Sequence, residues 1–168
     1  MLNKLKDNFD KNEILDGCYG IEREGLRVKE DGTLSQKMHS SAFGNKAKNK
    51  YITTDFSESQ IEVITPVFNS SDKLYNFTNA LYDITLSEMK DEYLWPQSMP
   101  CVIENIDDIK VAQYGNDDNG RKAQKYRENL LKKYGVRKQL ICGIHYNFSF
   151  SDSFVKKLYN LNNEKNIF

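Results

Sequence analysis

The segment CYGIEREGLRV, residues 18–28, alternates apolar and polar side chains and ends in apolar positions. Alternation of that kind marks a strand, whose successive side chains point to opposite faces. Glu22 and Glu24 therefore project from one face, roughly 7 Å apart along the strand. Two like charges held so close call for a positive guest or a positive neighbour between them.

Upstream, Leu2, Leu5, Phe9, Ile14 and Leu15 stand among charges at helical spacings, and Gly17 supplies a stop, so one short amphipathic helix is predicted over residues 2–15. Downstream, EDGTLS carries an Asp-Gly turn of the kind that reverses a hairpin. Residues 36–50 show no period and read as a loop. YITTDFSESQIEVITPV, residues 51–67, reads as a second strand, with Ile61, Val63 and Thr65 on one face and Gln60, Glu62 and Ile64 on the other. Pro66 stops it. Ser71 or Asp72 then caps a helix over Leu74, Phe77, Leu81, Ile84 and Met89 that runs to Asp91.

Residues 94–103 hold two prolines and read as an extended connection, and residues 105–120 as a loop. GRKAQKYRENLLKKY, residues 120–134, predicts a second long helix closed by Gly135. QLICGIHYNFSF, residues 139–150, is a strand with Ile144, Tyr146, Phe148 and Phe150 on one face and His145, Asn147 and Ser149 on the other. A further helix follows over residues 152–161. This order of elements predicts an α+β fold, a mainly antiparallel sheet with flanking helices, rather than repeated βαβ units.

The 168 residues suit one domain, and 24 basic against 24 acidic side chains give no net pull toward nucleic acid or an anionic membrane. A charged ligand must then be recognised by a local site. Cys18, Cys101 and Cys142 form no CxxC or Cys/His cluster and read as reduced thiols of a cytoplasmic protein. No apolar run reaches membrane-spanning length, no secretory leader is recognisable, and no GxxxxGK[ST] phosphate loop is present.

Three strand-like stretches share a polar face of acid or imidazole: Glu22 with Glu24, Asp55 with Glu62, and His145 with Asn147. Carboxylate oxygens are the hard ligands that magnesium takes together with substrate phosphates and water. Each residue also has an ordinary reading: a solvated Glu-x-Glu edge, a turn-forming Asp55, an exposed Glu62, and a hydrogen-bonded His145 at a core boundary. Residue chemistry alone leaves both readings open.

Five blocks go further. GIEREGLRV, YITTDFSESQIEVITPV, YLWPQSMPC, YREN and GIHYNFSF resemble, in this order, the N-terminal part of bacterial glutamate-cysteine ligase, also called γ-glutamylcysteine synthetase, which occurs too as the first module of bifunctional glutathione synthases. The resemblance covers nearly the whole chain, and WPxSMP and HYNF are its unusual strings. It implies a glutamine synthetase-like fold, of which residues 1–168 would form a single incomplete catalytic domain. It also implies a ligase that uses ATP and Mg2+, or Mn2+ in its place, to phosphorylate the γ-carboxylate of glutamate for attack by the amine of cysteine. Its partners would be glutamate, cysteine and ATP, with no nucleic acid and no membrane, and the remainder of a ligase chain would be needed.

Carried over residue by residue, the resemblance makes Glu22, Glu24, Asp55 and Glu62 magnesium ligands and puts His145 at the metal and glutamate site. Tyr126 and Arg127 would line the substrate pocket. Family members run to several hundred residues, so the chain is expected to be a fragment or a truncated product. In the second case the alternative is a noncatalytic remnant that binds metal, substrate or a partner chain. A carboxylate-metal nuclease is a third reading, disfavoured by the neutral charge.

Overall fold

Strand β1, Gly17–Val28, is the axis of a five-stranded antiparallel sheet. The computed structural model describes residues 2–163, apart from the side chains of Leu2 and Lys4. On one edge of β1 lies β3, Gln60–Ile64, with β2, Ile52–Thr54, beyond it. The other edge is shared: β5, Ile144–Phe150, pairs with residues 17–23, and the short β4, Tyr93–Leu94, pairs with Arg27 and Val28. Backbone polarity explains the sharing, because Glu24 N–H donates to Gly143 O and Leu26 O accepts from Trp95 N–H along the same side.

The α+β antiparallel reading holds, and several local readings change. The helix over residues 2–15 is two helices, α1, Leu2–Asn8, and α2, Lys11–Leu15. Asp10 accepts the N–H groups of Asn12 at 2.7 Å and Glu13 at 2.9 Å, while Glu13 returns a bond to Asp10 N–H at 3.0 Å. This capping box starts a new helix where the apolar spacing suggested continuity.

The strand over residues 51–67 is likewise two strands, β2 and β3, reversed by residues 55–59. Asp55 N–H donates to Gln60 O at 3.1 Å, and Gln60 N–H to Ser57 O at 3.1 Å. The turn carries no Gly or Pro and is buried, with Phe56, Ser57, Glu58 and Ser59 each at most 1 % exposed. Glu58 anchors it: its carboxylate accepts Lys46 Nζ at 2.6 Å, Gln113 N–H at 2.8 Å and His39 N–H at 3.1 Å. A period-two pattern passes through an inward turn without a visible break, which is why sequence spacing missed it.

Helix α3, Ser71–Glu88, is capped by Ser70 rather than by Ser71 or Asp72, and it ends three residues before Asp91. Helix α4, Asp118–Tyr134, begins inside the expected loop because Asp117 caps it, and it closes as expected at Gly135, whose φ of +75° suits glycine. Three short elements, 3-10 turns over Ser41–Phe43 and Ile106–Asp108 and α5, Val136–Gln139, complete the connections, so the strand expected over residues 139–150 begins only at Ile144. Helix α6, Asp152–Asn163, follows β5. Among the described residues no helix is long and apolar enough to cross a membrane.

The two sheet faces are covered differently. Ile52, Ile61 and Val63 are buried with Leu81 of α3, and Phe77, Tyr82 and Leu94 pack against them. On the opposite face, Leu26 and Val28 at the end of β1 join Leu34, Phe56, Cys101, Ile109, Leu140 and Cys142 in a second core. Glu22 and Glu24 continue that second face beyond the core, at its open end. Strand β5 is exposed throughout, its apolar face included: Ile144 at 62 %, Tyr146 at 58 %, Phe148 at 41 % and Phe150 at 47 %.

A buried ion pair joins the sheet to the loop after α3. Arg27 donates through Nη1 to both Glu92 oxygens, at 2.8 and 2.7 Å, and through Nη2 to the carbonyls of Lys37 and Glu58, each at 2.7 Å. Removing one partner leaves an uncompensated charge in the interior. Arg27→Met is expected to lower stability by about 3–5 kcal/mol, read as a fall in the urea midpoint with an unchanged slope.

Candidate active site on the acidic sheet face

Pairing register gathers the expected residues. Glu24 stands opposite Glu62 across β1 and β3, and Glu22 stands opposite His145 across β1 and β5. Asp55 opens the turn directly after β2, and Thr53 of β2 faces Glu62. The alternation predicted for each strand thus becomes one acidic row across three strands.

Local bonds hold the central acid. Glu24 Oε2 accepts Gly143 N–H at 2.8 Å and Gln60 Nε2 at 3.4 Å, and Oε1 lies 3.3 Å from His145 Nε2. Glu22 Oε1 accepts Asn147 Nδ2 at 3.1 Å. A β-carbon at Gly143 would stand 3.0 Å from His145 Nε2, so a larger residue there would push the imidazole aside. Gln60, fully buried, also reaches Cys142 Sγ at 3.7 Å. Sequence reading put Gln60 on the acidic face without a role and passed over Gly143. The signal was available for the first, two residues before Glu62 on the same strand, but only the tertiary approach of β5 gives Gly143 its contact.

The acids feel one another. Burial, then the charges of Asp55, Glu24 and Glu22, push the Glu62 carboxyl up to about 7, against the opposing influence of Arg127. Asp55 is also raised, by burial and by Glu24, with Arg127 and His145 opposing. Hard carboxylate oxygens and one imidazole around excess negative charge suit a magnesium-type cation. Among the described residues, no three His, Cys, Asp or Glu side chains already converge as a metal cage. The face supplies charge and donor atoms rather than a closed set of ligands.

Arg127 and Tyr126 part company. Arg127 donates through Nε to the Asp55 carbonyl and through Nη1 to Ala123 O at 3.1 Å, and its guanidinium lies 4.1 Å from the centre of the Tyr114 ring. It therefore borders the acids. Tyr126, about 100° away around the same helix, is 61 % exposed. It is not brought to the acidic row by any contact among the described residues. Tyr114, which the sequence left in a loop, is 5 % exposed, and burial holds its phenol up at about 12.

An antiparallel sheet whose one face carries four carboxylates and a histidine, with an arginine at its border, defines an α+β scaffold with a carboxylate-lined site. Comparison with known proteins agrees and is narrower. The family model for glutamate-cysteine ligase matches residues 2–167, and the chain belongs to that family. It is 43 % identical over 159 residues to the glutamate–cysteine ligase of Clostridium acetobutylicum, covering 95 % of this chain and 33 % of that protein. Against the Wigglesworthia glossinidia brevipalpis ligase the identity is 47 %, covering 93 % and 30 %, and against the bifunctional glutathione biosynthesis protein of Clostridium perfringens it is 44 %, covering 95 % and 20 %.

The fold agrees with solved structures. The Francisella tularensis glutamate–cysteine ligase, in complex with AMP, superposes with a TM-score of 0.86 at 38 % identity over 93 % of this chain and 31 % of that one. A bifunctional glutathione synthetase from Pasteurella multocida gives 0.80 at 35 % identity, over 95 % and 20 %. The fold is thus that of the glutamate–cysteine ligase structures, which are glutamine synthetase-like. The chain spans about a third of the length of the single-function relatives and a fifth of the bifunctional one.

The raised carboxyl has a pH consequence. The folded-state value of Glu62, about 7, lies above the ordinary 4.5, so the folded protein holds a proton there that the unfolded chain has lost. Stability from this residue therefore declines as pH climbs from about 4.5 through about 7. Urea melts without divalent ions are expected to show that decline in the wild type and a flatter profile in Glu62→Gln.

Proposed function

We propose that this chain builds the N-terminal part of the catalytic domain of a glutamate–cysteine ligase, joining the γ-carboxylate of glutamate to the amine of cysteine at the expense of ATP. The observation that carries the proposal is the acidic row itself, in which the Glu62 carboxyl is pushed up to about 7 by burial and three neighbouring carboxylates. The resemblance of the sequence blocks, family membership and the AMP in the Francisella tularensis structure support it.

In this reading Glu22, Glu24, Asp55, Glu62 and His145 hold Mg2+, or Mn2+ in its place. The cation, when bound, offsets the repulsion between the nucleotide phosphates and the glutamate carboxylate and stabilises the charge that develops during phosphoryl transfer. Gln60 and Gly143 fix the Glu24 carboxylate, and Asn147 steadies Glu22. Arg127 presents a planar fork suited to a substrate carboxylate. Tyr126 lies on the outer side of α4 and serves the pocket only where other parts of a ligase cover that side.

The acyl phosphate formed on glutamate must be kept from water until the amine of cysteine arrives. The acidic face is open here, and β5 exposes both faces and an apolar row, so the remainder of a ligase chain is assigned to covering them. Its three free cysteines, two of them buried, fit a cytoplasmic protein.

A direct test joins this chain, after Phe168, to the part of the Clostridium acetobutylicum relative that follows the matched segment. Phosphate release is expected to depend on glutamate, cysteine, ATP and Mg2+ together, and Glu22→Gln or Glu62→Gln is expected to lower turnover by about a hundredfold. Near-normal turnover in both variants would refute the site. The 168-residue chain by itself is expected to show no ligation.

A further inference from the structure

Arg127 is posed before any ligand arrives. A long side chain on a helix surface ordinarily samples many rotamers, and ordering it on binding opposes affinity. Here Nε is bonded to the Asp55 carbonyl, Nη1 to Ala123 O at 3.1 Å, and the flat face rests 4.1 Å from the Tyr114 ring centre. Nη2 has no acceptor among the described residues.

Tyr114 is the common support. Its hydroxyl donates to the Thr54 carbonyl, accepts from Thr54 Oγ1 at 3.1 Å, and lies 3.0 Å from the Asp55 carbonyl, the same oxygen that Arg127 Nε uses. The β2–β3 turn, the loop before α4 and α4 itself are thereby tied at one point. Gly120 sets how α4 meets that loop, since a β-carbon there would stand 2.5 Å from both Tyr114 O and Gly115 O. Arg127 follows about two helical turns later, which carries it over the ring.

We propose, on the reading of Arg127 as a carboxylate-binding group, that Tyr114 is a positioning residue for substrate glutamate. Its ring and hydroxyl fix the guanidinium against the edge of the acidic row, so that one carboxylate of the amino acid meets a prearranged donor. Tyr114 acts through Arg127 and touches no reacting atom. A packing role alone would change stability without depending on Arg127.

The test uses the fused, ligase-length protein and four variants. Arg127→Met is expected to raise KM for glutamate by about a hundredfold, as loss of a charge-assisted contact does. Tyr114→Leu is expected to raise it about tenfold with kcat within about threefold, and Tyr114→Phe, which keeps the ring, by less than about threefold. In the double variant Tyr114→Leu with Arg127→Met, the tyrosine change is expected to add no further rise. On the 168-residue chain, the Arg127 Nε–H resonance is expected to be shifted by the ring and to exchange slowly in wild type and Tyr114→Phe, and to lose both properties in Tyr114→Leu.

An equal KM penalty from Tyr114→Leu with and without Arg127 overturns the proposal. So does an unchanged KM when the Nε–H signature has been lost. An unchanged KM in Arg127→Met would instead remove the substrate reading on which this role depends, and the two failures are told apart by that single variant.

Discussion

Strand β1 is paired on both edges over most of its length, and that constraint governs the rest of the molecule. Pairing to β3 and β5 leaves Glu22 and Glu24 no freedom to turn away from each other, because a register slip of one residue would move Leu26 and Val28 out of the core with them. The apolar end of the strand therefore fixes the acidic end. Repulsion among the carboxylates is tolerated because the same strand buries two large aliphatic side chains a few residues away.

The acids are then held by ordinary backbone chemistry rather than by one another. Gly143 donates its N–H to Glu24, Gln60 adds an amide, and Asn147 reaches Glu22. Such bonds orient oxygens while leaving their negative charge largely unneutralised, as the raised Glu62 shows. An acidic face built in this way keeps its shape and its excess of negative charge.

Support from the other side of the site is equally indirect. Glu58 and Lys46 form a buried pair beneath the β2–β3 turn, with 1 % and 10 % of their side chains exposed. The pair contributes by satisfying backbone N–H groups of two loops, not by touching the acidic row. Tyr114 sits above that pair, Arg127 above Tyr114, and the Asp55 carbonyl links them. Position at the site edge thus passes from a buried turn to a guanidinium through one aromatic ring.

By itself the sequence determined the α+β class, the faces of β1, β3 and β5, and the candidate acids, because side-chain alternation is a local property that survives without knowledge of partners. The blocks GIEREGLRV and GIHYNFSF also carried the family resemblance. Tertiary structure alone decided the reversal at residues 55–59 and the parting of Arg127 from Tyr126. Each of these depends on a side chain finding a distant backbone group: Glu58 with Gln113, Arg127 with Asp55, Tyr114 with Thr54. Alternation reports which face a residue takes; only the folded chain brings together groups tens of residues apart, and the acidic row exists as one row because three separate strands align it.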